Sequence, residues 1–224
     1  MRRNAGLKLI ELIVVIAILG LLASLILAVA GEVRKRAWEA PCMANLRQVY
    51  VAWRNYLDDH HEAFPKHLVQ MRPYLKATEV LKCPRDHYGG INIRESQRWG
   101  VPVSYFYEQD YLLLEGDLTF YELLAQKDPN HGIMYCLLHG RSRIRTASLQ
   151  TMPASYLTSG TVLRLRRDGS IQRANAHFVC YRAPDGGEYI VRHAWHLLTD
   201  VRPCPPEVCF GYRPEDEVPC SFNW

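Results

Sequence analysis

Apolar and polar positions change their spacing three times along the chain, and each spacing predicts a different element. From Leu12 to Ala30 there is no charged residue; nineteen residues of Leu, Ile, Val and Ala are broken only by Gly20 and Ser24. As a helix this run is about 28 Å long, close to the roughly 30 Å hydrocarbon core of a bilayer. Beyond Gly31 the pattern becomes amphipathic. Cys42, Leu46, Val49, Trp53 and Leu57 recur at helical spacing with Tyr56 beside them, while Arg47, Gln48, Arg54 and Asn55 fall between. This predicts one helix running to about Asp59, buried on one face and kinked at Pro41.

Phe64-Pro65 ends the helical region, because the residue before a proline avoids the α conformation. Leu68 to Leu75 reads as a short helix interrupted by Pro73, and residues 87–100 as an exposed loop around Gly89-Gly90. Thr119-Phe120-Tyr121-Glu122 is a capping box ahead of a helix to about Gln126, and Ile133 to Leu138 reads as a strand. From Thr161 the period becomes two. Val162, Leu163 and Leu165 lead across Asp168-Gly169 to Ile171, and a second hairpin joins Phe178–Arg182 to Tyr189–Arg192. The tail from Val201, rich in Pro and Cys, reads as irregular. The fold class expected is α+β: a long N-terminal helix, half apolar and half amphipathic, packed on a small antiparallel sheet domain.

Of the 224 residues, 22% are charged and 48% hydrophobic, which suits one ordinary globular domain beside the N-terminal helix. The formal net charge of +4 is too small to argue nucleic-acid binding from charge alone, and nucleic acid is not expected as a partner. The clusters Arg141-Ser142-Arg143-Ile144-Arg145 and Arg164-Leu165-Arg166-Arg167 have no interleaved aromatic residues and read as solvated strand and loop faces.

Glu11 stands at the mouth of the apolar run, behind Gly6-Leu7-Lys8-Leu9-Ile10 and a leader containing Arg2 and Arg3. A carboxylate there is costly and signals a cationic partner. This stretch resembles the class III signal of type IV pilins and type II secretion pseudopilins. The resemblance implies cleavage by a prepilin peptidase between Gly6 and Leu7 and methylation of the Leu7 amine. It further implies that Glu11 meets the Leu7 amine of a neighbouring subunit during assembly. Leu7 replaces the usual Phe, and Lys8 the usual Thr. Loss of Arg2 and Arg3 would lower the net charge from +4 to +2.

A second, narrower likeness follows. Cys42-Met43-Ala44-Asn45-Leu46-Arg47-Gln48, Tyr56-Leu57-Asp58-Asp59 and Phe64-Pro65 resemble the C-x-x-N-L-K-Q, Y-x-x-D and F-P elements of a bacterial pseudopilin-like group. Pro73-Tyr74, Cys83-Pro84-Arg85-Asp86, His139-Gly140 and Asp168-Gly169 are similar to its later elements. Together the two likenesses divide the chain into a leader (1–6), a transmembrane assembly helix (7–30), an amphipathic stem (31–60), a globular domain (61–200) and a Cys/Pro-rich tail (201–224). They imply a non-enzymatic subunit of a pilus or secretion-type filament, held by one span in the bacterial inner membrane, with its domain in the periplasm or outside the cell. The partners implied are the prepilin peptidase, other pilin or pseudopilin subunits, the inner-membrane assembly platform and membrane lipid. The rival reading is an exported enzyme or binding protein whose ordinary secretory signal is cut after Ala30 of Ala28-Val29-Ala30.

The seven cysteines all follow the apolar run, so an exported domain could oxidise them. The pairs expected are Cys42 with Cys83, Cys136 with Cys180 on neighbouring strands, and Cys204 with Cys209, leaving Cys220 odd. Cys204-x4-Cys209 with Cys136 and His139 fits no compact zinc spacing, so neither a metal nor another cofactor is assigned. Asp58-Asp59, Asp185 and Glu215-Asp216-Glu217 lack the alternation of oxygen ligands that calcium requires. The histidines accompany no hydrolase or metalloprotease motif.

Overall fold

The computed structural model describes residues 9–107, 120–144, 156–176, 179–182, 188–191, 194–202 and 217–218. Its fold is α+β, with a long N-terminal helix and antiparallel sheets. The chain divides into two units, residues 1–40 and residues 41–224.

Helix α1 runs from Leu9 to Asp59, continuous through Pro41. Over the first unit its large apolar side chains, from Leu9 through Val29, lie exposed all round. It is long and apolar enough to cross a membrane. In the second unit the expected stripe is buried: Cys42, Leu46, Val49, Trp53, Tyr56 and Leu57 all belong to the core. Burying a side chain of this size contributes about 1.5–3 kcal/mol, so the stripe is a main source of the domain's stability.

Two short 3₁₀ helices follow, Leu68–Tyr74 and Thr78–Leu81, inserting Leu68, Met71, Val80 and Leu81 into the same core. The segment expected to be a loop contains helix α2, Ile93–Trp99. Its signals are local. Asn92 caps it by accepting from the Glu95 N–H (3.2 Å), Arg98 pairs with Glu95 at 2.6 Å, and Gly100 closes it in the left-handed conformation at φ 70°. Ile91 and Trp99 are buried, so the stretch contributes to the core, while residues 87–89 are exposed as expected. Helix α3 covers Phe120–Lys127.

Strands β1 (Gly132–Cys136) and β2 (Arg141–Ile144) lie one after the other along β3 (Tyr156–Arg166), both antiparallel to it. Strand β4 (Ile171–Ala176) pairs with β3 across the Asp168-Gly169 turn. Phe106 bridges Tyr135 through two backbone hydrogen bonds of 3.0 and 3.1 Å. A second sheet is formed by β5 (Val179–Arg182), β6 (Glu188–Val191) and β7 (Glu217–Val218), in the order β6-β5-β7. The tail is therefore not wholly irregular. Its two-residue strand pairs with Cys180 and Tyr181, a long-range contact that its local composition does not encode. Helix α4, Ala194–Leu198, also has no counterpart in the sequence reading.

The basic stretch 164–167 is not a solvated face. The Arg164 side chain is 2% exposed, and its Nε donates to the Leu197 carbonyl at 2.6 Å. Arg166 donates to the Asn130 carbonyl and Arg167 lies over the Phe64 ring. Periodicity places Arg164 on a strand, but only the docking of α4 beside β3 supplies carbonyls able to receive a buried guanidinium.

Candidate metal centre

Four side chains meet in the interior of the second unit. The Sγ atoms of Cys42, Cys83 and Cys136 and the ring of His139 offer donor atoms all within 4.8 Å of one another. The three cysteines are 0% exposed and His139 is 3% exposed. All three are free thiols.

Each donor is placed by its own element and by hydrogen bonds that tie that element to others. Cys42 sits on the buried face of α1, and Asn45, one turn on, donates to the Lys82 carbonyl at 3.0 Å. That bond holds the residue before Cys83 against the helix, which accounts for the Cys-x-x-Asn spacing. Cys83 opens a turn closed by the Asp86 N–H donating to its carbonyl at 2.8 Å, with Pro84 inside the turn. Asp86 is buried. Its carboxylate accepts from the Ser104 hydroxyl (2.6 Å) and from the Tyr88 and Ile91 N–H groups (2.8 and 3.0 Å). Ser104 Oγ in turn accepts from the Cys83 N–H at 2.9 Å, so the turn is tied from both ends. Cys136 is the last residue of β1, and His139 lies in the turn that separates β1 from β2.

His139 Nε2 faces Cys83 Sγ at 3.5 Å, and the Tyr105 hydroxyl faces Cys42 Sγ at 3.6 Å. His139 Nδ1 is buried and has no hydrogen-bond partner among the described residues. The thiols do not share one acidity. Burial, and then the hydrogen bonds with Cys42 and Cys83, push Cys136 well above the ordinary thiol range. Hydrogen bonds from Cys136 and Cys42 outweigh burial at Cys83 and hold it below that range, with His139 adding to the effect. Cys42 is raised: its bond with Cys136 acts to lower it, but the bond with Cys83 and burial prevail. Tyr105 is pushed up by burial first and by the adjacent cysteines second.

A low thiol beside an imidazole is also the arrangement of a cysteine nucleophile, but that chemistry needs a path to substrate. Here all four groups are buried, and donors of these types at this spacing can ligate a metal ion.

The pairing expected of Cys42 with Cys83 brings together the right residues but not the right bond, since both meet Cys136 and His139 as thiols. The expected Cys136–Cys180 pair is corrected. β1 is bonded to β3, whereas β5, which carries Cys180, belongs to the other sheet, and Cys136 is turned into the cluster. Cys204, Cys209 and Cys220 lie outside the described residues, as do Gly6 and Leu7. Glu11 lies in the first turns of α1, exposed, far in sequence from the cluster.

Compact zinc spacings are built from two close pairs of ligands, which Cys136 and His139 do not make with the distant Cys204-x4-Cys209. The local signal present is Cys136-x2-His139, one close pair. Its complement is two single cysteines, one on a buried helical stripe and one in a Cys-Pro turn. No protein-family model, curated protein or solved structure matches this chain.

Proposed function

We propose that the chain is a pilin-like subunit, cleaved after Gly6 by a prepilin peptidase, methylated at Leu7 and held in the bacterial inner membrane by α1. It joins other pilin or pseudopilin subunits in a filament at the inner-membrane assembly platform, with the head domain in the periplasm or outside the cell. It is not an enzyme in this reading.

The observation that carries the proposal is helix α1 itself. One uninterrupted helix bears Glu11, then an apolar run exposed on every side, and then the stripe that builds the core of the head. Exposed apolar surface of this extent needs lipid or neighbouring helices to cover it. Nucleic acid is not proposed as a partner, since Arg164, Arg166 and Arg167 are engaged within the chain.

The mature N-terminus tests the proposal. Intact mass of membrane-extracted protein should place it at Leu7 carrying one added methyl group, and Gly6→Val should retain the leader. Glu11→Ala should be cleaved and inserted normally yet yield less filament in a shearing assay. A chain starting at Gly31 refutes the reading.

A further inference from the structure

We propose that Cys42, Cys83, Cys136 and His139 form a structural zinc site that ties three separate segments of the head domain together. The proposal does not rest on the membrane or filament reading.

The donor set selects the metal. Three thiolates and one imidazole, with no carboxylate among them, suit a borderline-soft ion and not calcium or magnesium. The spacing selects one ion. With Zn–S near 2.3 Å and Zn–N near 2.0–2.1 Å, tetrahedral angles put sulfur and nitrogen about 3.5 Å apart and two sulfurs about 3.8 Å apart. Cys83 Sγ and His139 Nε2 are 3.5 Å apart, and no two of the four donors exceed 4.8 Å. A disulfide would bring two sulfurs to about 2.05 Å and leave the third thiol and the imidazole unemployed.

Burial selects the role. Catalytic zinc keeps one position open to water, whereas here four protein donors, all buried, complete the tetrahedron. Coordination through Nε2 also gives a use to an imidazole enclosed where hydrogen-bond partners are scarce. The ligands come from α1, from the Cys83 turn and from the end of β1 with the turn after it. A bound ion would close the chain across Cys42 to Cys83 and across Cys83 to Cys136, inside the core. Binding consumes thiols as thiolates, so each ion taken up releases the protons that the cysteines carried.

The test uses the full chain in detergent, purified under reducing conditions without metal-affinity steps. Elemental analysis should find one zinc per chain, and the three thiols should resist alkylation until a chelator is added. Cobalt(II) exchanged into the chelated protein should show tetrahedral visible bands and a thiolate-to-metal charge-transfer band. Cys136→Ser should lose most of the zinc. Should that variant fail to fold, His139→Cys decides, because a site of four thiolates should keep one zinc and shift the cobalt spectrum accordingly. Folded protein that takes up no zinc, or carries iron or copper in its place, overturns the assignment. So does a native Cys42–Cys83 disulfide found by non-reducing peptide mapping.

Discussion

Arg164 offers a measurement that separates a buried hydrogen bond from a surface ion pair. Its Nη1 pairs with Asp200 at 3.1 Å, but the Asp200 side chain is 64% exposed and the Arg164 side chain 2%. An ion pair so wet on one side is worth at most about 1 kcal/mol. The Nε bond to the Leu197 carbonyl is different: it is 2.6 Å long, and Leu197 is buried. The Thr199 carbonyl also accepts from Arg164 but has a second donor in Arg202 at 3.2 Å, so it is not orphaned when Arg164 is lost. Arg164→Met keeps much of the stem that packs on Gly132 and removes every donor. The expected cost is the desolvated Leu197 carbonyl, about 1–3 kcal/mol, partly offset because the methionine no longer desolvates a charge. Asp200→Asn should cost under about 1 kcal/mol. For a chain of this length 1 kcal/mol moves Tm by about 2–4 °C. Arg164→Met should therefore lower Tm by several degrees and Asp200→Asn by no more than a few. Thermal unfolding in detergent can be followed through the fluorescence of the buried Trp53 and Trp195, the latter in α4 itself. If Asp200→Asn proves as damaging as Arg164→Met, the ion pair dominates and the reasoning fails.

Gly169 sits at φ +81°, and a β-carbon there would lie 2.6 Å from the Tyr50 ring, whose hydroxyl donates to the Arg167 carbonyl. Gly169→Ala should cost about 2–3 kcal/mol from the left-handed backbone plus the clash, and adding Tyr50→Ala should relieve the clash alone; equal stability of Gly169→Ala and parent in urea titration would contradict this. Burial is the chief cause holding His131 below the ordinary histidine value of 6.5, with Arg167 and Arg166 acting the same way and the Gly132 carbonyl and Asp128 opposing. Native His131 thus binds its proton later than the unfolded chain does, so its contribution is intact above about pH 6.5 and is lost as pH falls towards its folded value. Stability should drop as pH falls below about 6.5, and His131→Gln should flatten that slope; an unchanged slope in the variant would assign it to other groups.

Helix α1 was legible because its two halves obey different local rules, one uniformly apolar and one striped, and neither depends on a partner. The Asp168-Gly169 hairpin was legible for the same kind of reason, since the turn residues specify the positive φ that the chain adopts there. Helix α2 carries its own start and stop signals in Asn92, Glu95 and Gly100, set close behind the turn signal of Gly89-Gly90. The metal centre is a different case. Its donors stand at 42, 83, 136 and 139, and nothing local relates a helical cysteine to one in a proline turn and one at a strand end. Each position alone reads as a buried small residue or an exported cysteine awaiting oxidation. Their meeting depends on the Asn45 bond to Lys82, the Asp86–Ser104 pair beneath Cys83 and the break between β1 and β2 that turns His139 inward. Arg164 follows the same logic, for its burial depends on carbonyls contributed from Leu197 and Thr199, more than thirty residues away. Period and turn chemistry act over a few residues and are written in order along the chain. Ligation and the satisfaction of buried charge act across space, and only the packed core brings those groups within bonding distance.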